Sequence, residues 1–160
     1  MIAPSDLTFS QTYLHKIHIL TTDLDRAFNK ILHIHAGVSL SQFMLLVTVL
    51  EHTAVNQRTV AHFLRISPAA IKRQVDIAIN ANLLRIEITG KVPGQTLQLT
   101  QAGHTLIKTS MHALELHLFD IFAAANHQAG LMTHIDVLLD NTKGVLNKQA
   151  ALYETNKRKD

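Results

Sequence analysis

Two groups of side chains in this sequence could do chemistry. The first lies in the run "RISPAAIKRQVD", where Ser67, Pro68, Ala69 and Ala70 precede Lys72 and Arg73. Arginine presents paired donors that match the O6 and N7 acceptors of guanine, and an alanine methyl fits against a thymine methyl. Lysine, like the unbonded amides of a helix start, suits phosphate. The second group is histidine, present eleven times: His15, His18, His33, His35, His52, His62, His104, His112, His117, His127 and His134. Histidine ligates metals and titrates near neutrality. A nucleophile is the third thing to look for, and no glycine-rich phosphate loop, nucleophile elbow or HExxH string occurs. No enzyme activity is expected.

Charge points to the first group. From Asn56 to Gln95 the positive residues are Arg58, Arg65, Lys72, Arg73, Arg85 and Lys91, against Asp76 and Glu87. Six against two is a net +4, while the whole chain carries +3, so the remainder nets −1. Such a local surplus is the expected footprint of a polyanion. The plain alternative is a solvated basic face. Cysteine is absent, which excludes disulfides and thiolate metal sites. The longest apolar run, "FMLLVTVL", is far shorter than the ~20 residues of a membrane span. The start, "MIAPSDLTFS", lacks the basic-then-apolar order of a signal peptide. These features fit a cytoplasmic protein with no membrane partner.

The elements that must position these residues follow from periodicity. Leu14, Ile17, Leu20, Leu24, Phe28, Ile31 and Leu32 recur at helical steps, predicting a long amphipathic helix from Thr8 to about His35 that ends at Gly37. Ser39 and Gln42 form a capping box for a helix to about His52. Asn56 caps a short helix with Val60, Phe63 and Leu64 facing inward, and only Ser67 separates its end from the next. Ser67 is the cap of that next helix and Pro68 its first residue. It should run to about Ala81 and stop at Asn82, which tolerates a left-handed conformation. Its apolar stripe is Ile71, Val75, Ala78 and Ile79, with Ala69, Lys72, Arg73 and Asp76 opposite. "LLRIEIT" and "TLQLT" alternate around "GKVPGQ", a β-hairpin. Thr100 caps a helix to about Asn126, and a last helix carries Leu131, Ile135, Leu138, Leu139, Val145, Leu146 and Leu152. The tail "NKRKD" is expected to fray.

A short helix followed at once by a capped helix and a two-stranded wing is the winged helix-turn-helix order, whose second helix enters the major groove tip first. Small residues at that tip let it approach the bases. The stretch from "SLSQFMLLVTVLEHT" to "LTQAGHTLI" resembles the winged-helix core of the MarR family, the multiple-antibiotic-resistance regulators. The match rests on "TVAHFLRISPAAIKRQVD", on "ANLL" where the family has a glycine-leucine pair, and on "LTQAGHTLI", similar to the family's leucine-threonine-x-x-glycine step. The resemblance implies a mainly α fold with a small β-hairpin wing: one domain over 1–160, with a DNA-binding core at 39–100 and dimerisation helices at 8–35 and 101–155. It further implies a homodimeric transcription regulator, by family habit a repressor, on a palindromic operator, with a small-molecule effector as a candidate partner.

By that resemblance the DNA-binding role passes to Ser67, Pro68, Ala69, Ala70, Lys72, Arg73 and Asp76 on the recognition helix, and to Arg58, Thr59, Arg85 and Lys91 around it. Family wings carry an aspartate-arginine pair at the tip. Here the tip reads "GKVPGQ", so minor-groove contact is weaker or falls to Lys91 alone. The family's effector pocket lies where the first helices meet the long dimer helix, and some relatives bind zinc there. The residues that could assemble such a site are His33 or His35 with His112 or His117. No two histidines sit at i, i+4, so most read as surface or hydrogen-bonded residues, and neither metal nor cofactor is expected. Beside regulation stand two other readings: a winged helix that docks another protein without DNA, and a histidine-based metal-responsive regulator.

Overall fold

A computed structural model describes residues 9–52, 55–88, 95–122, 130, 133, 135–142 and 144. The chain divides into two units, Met1–Leu116 and His117–Asp160. The first unit opens with α1 (Phe9–Ala36), which ends at Gly37 with φ +67°, a left-handed conformation that a side chain rarely adopts. Leu32 of α1 is fully buried, whereas Leu14, Ile17 and Leu20 are 66%, 49% and 57% exposed, so the first half of its apolar stripe has no cover.

Helix α2 (Leu40–Glu51) begins as its sequence dictates. Ser39 Oγ accepts from Gln42 N while Gln42 Oε1 accepts from Ser39 N, both at 3.2 Å. Asn29 Oδ1 of α1 also accepts the Leu40 amide at 2.9 Å, which ties the two helices together. Phe43, Leu45, Leu46 and Val49 make α2 the centre of the core. Each such residue, fully buried, stabilises the fold by roughly 1.5–3 kcal/mol. Thr48 is buried with them, its hydroxyl donating to Met44 O at 2.8 Å.

Then come α3 (Gln57–Leu64) and α4 (Pro68–Asn80). The expected one-residue separation is instead three, because Arg65 turns left-handed and closes α3 early. Phe63, expected inward, is 48% exposed: Val60 and Ala61 fill the core beneath this short helix, with Leu64 half-buried, and Phe63 lies against the His52 ring at 4.1 Å. In α4 the stripe is as expected, with Ile71, Val75 and Ala78 buried and Ile79 half-buried. The chain leaves α4 through Ala81 and a left-handed Asn82.

Strands β1 (Leu84–Ile88) and β2 (Gln95–Leu99) pair antiparallel, Leu84 opposite Leu99 and Ile88 opposite Gln95. Val55 adds one isolated bridge to Leu97 on the other side of β2, which alternation alone did not reveal. Next, α5 (Gln101–Phe122) starts under a Thr100 cap, whose Oγ1 accepts from Gly103 N at 3.0 Å and donates to Asn82 O at 2.6 Å. In the second unit residues 135–142 are helical. The helix expected over 101–126 is observed to Phe122, and 123–126, like Leu131, lie outside the described residues. The hairpin tip and Val145, Leu146 and Leu152 lie outside the described residues.

Candidate nucleic-acid interface

The exposed start of α4 is built by its own sequence. Ser67 sits at φ −66°, ψ 147° and accepts from Ala70 N at 3.2 Å, while Pro68 occupies the first turn, where its missing N–H costs nothing. Ala69, Lys72, Arg73 and Asp76 are exposed and Ala70 is half-buried, directly over the buried Ile71, Val75 and Ala78. The core stripe therefore fixes which way the charges point. The only ion pair among the described residues is Arg26–Asp23 on α1, at 3.4 Å, so Lys72 and Arg73 are unpaired there, despite Asp76 one turn away. Small residues before two unpaired cations make a blunt, positive helix end.

The remaining predicted residues fall into two further places. Arg58 is exposed in the first turn of α3, whereas Thr59 is half-buried and spends its hydroxyl on the cap, 3.1 Å from Asn56 Oδ1, the atom that also accepts the Thr59 amide at 2.9 Å. Arg85 is exposed on β1, its guanidinium donating twice to Gln98 Oε1, at 3.2 and 2.8 Å. Gln98 in turn donates to Glu87. A neutral amide thus orients Arg85 without neutralising it. Lys91 lies outside the described residues.

One cation counted in the basic segment was not among the predicted contact residues. Arg65, exposed between α3 and α4, takes φ 54°, ψ 37°. The available signal was its place, two residues before the Ser67 cap. On the histidine side, His33 and His35 lie on α1 and His112 and His117 on α5. Among the described residues no group of three or more His, Cys, Asp or Glu side chains could share a metal ion. His52 and His104 do share an open groove of about 510 Å³ with Arg85, Gln98, Leu50 and Leu99. Among the described residues no single helix is long and apolar enough to cross a membrane.

No protein-family model and no curated protein matches this sequence. Solved structures do. A Staphylococcus aureus MarR in complex with salicylate and kanamycin superposes with a TM-score of 0.75 at 16% identity, over 92% of this chain and 99% of that one. The chain has the MarR winged-helix fold. A MarR/EmrR-family regulator from an Acinetobacter species gives 0.75 at 10% identity, covering 89% and 99%. Mycobacterium tuberculosis MosR, solved in complex with DNA, gives 0.66 at 14%, covering 82% and 96%.

Proposed function

We propose that the chain is a sequence-specific DNA-binding transcription regulator, acting in the cytoplasm without catalysis. The observation that carries this reading is the start of α4: a capped, small-residue tip with unpaired Lys72 and Arg73, held outward by the buried Ile71, Val75 and Ala78. The DNA complex of the similar MosR supports the same reading. Arg73 reads a base edge, with Ala69, Ala70 and Asp76 beside it. Ser67 and Pro68 set the tip, and Lys72, Arg58, Thr59, Arg85 and Lys91 meet the backbone. The functional form is a homodimer on a palindromic operator, joined through the apolar faces of α1 and the C-terminal helices, and it represses. The chain works as one domain, with core and dimer helices linked through α5. A small organic effector is a candidate partner, since the similar staphylococcal MarR is in complex with salicylate, and the groove at His52 and His104 is one place to look for it.

The test is selection of duplexes from a random pool by the purified protein. The expected product is a palindrome whose half-sites lie about 34 Å apart, one helical turn. Its binding should weaken steeply with salt. Recovery of no preferred duplex would leave the docking-module reading in its place.

A further inference from the structure

Among the described residues two non-glycine residues have positive φ, Arg65 at 54° and Asn82 at 56°. Asparagine takes this conformation readily, because its short amide bonds to the local backbone. Arginine has no such relief, so Arg65 holds the turn at a cost in strain. The turn itself does not need it. Its bonds are backbone ones, Arg65 N to His62 O at 3.3 Å and Ile66 N to Ala61 O at 3.2 Å, and glycine would make both without strain. What arginine adds is the guanidinium. That group is exposed and forms no ion pair with any described residue. A cation at the end of α3 does favour the helix dipole, but an exposed one contributes little, and His62 already stands in that last turn.

Strain kept without an internal return points to a ligand. Position fits an anionic one. Arg58 and His62 are spaced i, i+4 on α3, Arg65 directly follows its last residue, and all three are exposed; in helix-turn-helix complexes that first helix crosses the DNA backbone. We propose that Arg65 is a phosphate contact, a guanidinium at the elbow between α3 and α4 that grips the DNA backbone beside the groove entered by α4. This rests on the DNA-binding reading. A planar fork of donors suits phosphate better than a lysine ammonium does.

The experiment compares wild type, Arg65→Gly and Arg65→Lys on the duplex that wild type selects from a random pool, across a salt series, with thermal melting of each protein. Arg65→Gly should melt higher than wild type yet bind roughly tenfold more weakly, as removal of a charge-assisted bond implies. The log–log salt slope should become shallower by about 0.9 for each phosphate that Arg65 neutralises. Preference for the selected duplex over a scrambled one should stay unchanged, since phosphates carry no sequence information. Arg65→Lys should fall between. Wild-type affinity and slope in Arg65→Gly would overturn the proposal while leaving the DNA reading intact, and a lower melting point in that variant would make the arginine structural. If wild type selects no duplex, the DNA reading fails and takes this inference with it.

Discussion

At the scale of single residues, the interface and the wing root make opposite demands. Arg73 is exposed and unpaired, so its removal should leave the fold alone. Arg73→Ala is expected to weaken operator binding by about 1–3 kcal/mol and to relax the choice of base at one position per half-site, read by a binding assay over single-base variants. Gly103 is the reverse case. An added Cβ would stand 2.3 Å from Leu83 O and 2.9 Å from Leu99 Cδ2, at the point where Thr100 knots α5 to the end of α4. Backbone must move to admit it, so Gly103→Ala should destabilise by about 1–3 kcal/mol in a denaturant melt. An unchanged midpoint would mean this start of α5 is looser than its hydrogen bonds indicate. The glycine was visible in "LTQAGHTLI" as part of a resemblance, but its reason was not. The clash is with a carbonyl twenty residues earlier, and no local pattern carries that approach.

At the scale of elements, what could be read from the sequence was whatever is decided within a few residues. The capping box at Ser39, the Asn56 and Ser67 caps, the left-handed Asn82 and the buried stripe of α4 are all short-range choices of hydrogen bond or of helical face. Phe63 shows where that logic stops. Its type says core, yet eight residues of helix offer too little buried face, and the ring ends on His52 instead. The Val55–Leu97 bridge escaped for the same reason, since a single rung leaves no alternation to detect. The Arg65 conformation escaped because arginine is an uncommon left-handed residue. The interface was legible to the extent that helix caps define it: the α4 tip was, whereas the amide that orients Arg85 and the cap that engages Thr59 were not. Ser67→Ala tests the cap directly. It should destabilise the protein by about 1 kcal/mol, the usual effect of removing a cap oxygen, and loosen the helix end that the bases would meet. Amide exchange at Ala70, whose N–H bonds Ser67 Oγ, should speed up, and exchange at wild-type rate would show that the cap does not hold the tip.

At the scale of the whole molecule, each unit leaves apolar side chains exposed that the proposed homodimer would cover. Leu14, Ile17 and Leu20 face solvent on α1, and Leu138 and Leu139 do so in the second unit. Scattered exposed leucines are ordinary but a stripe at helical steps is not, so under the proposed function the stripe on α1 is where a second copy would join. Two copies joined there would also supply what a palindrome requires, a pair of α4 tips held at fixed separation. Engagement of the first tip then makes the second effectively intramolecular, which multiplies affinity with no further change in either tip. Ile17→Glu with Leu20→Glu places charge on the stripe while leaving the buried core untouched. The double variant should keep its helical circular-dichroism signal, sediment as a monomer where wild type sediments as a dimer, and bind a half-site duplex as wild type does. Its affinity for the full palindrome should fall toward that half-site value. A wild type that is already monomeric would overturn the homodimer, a double variant that remains dimeric would move its contact elsewhere, and full palindrome affinity in a monomer would remove the need for paired tips altogether.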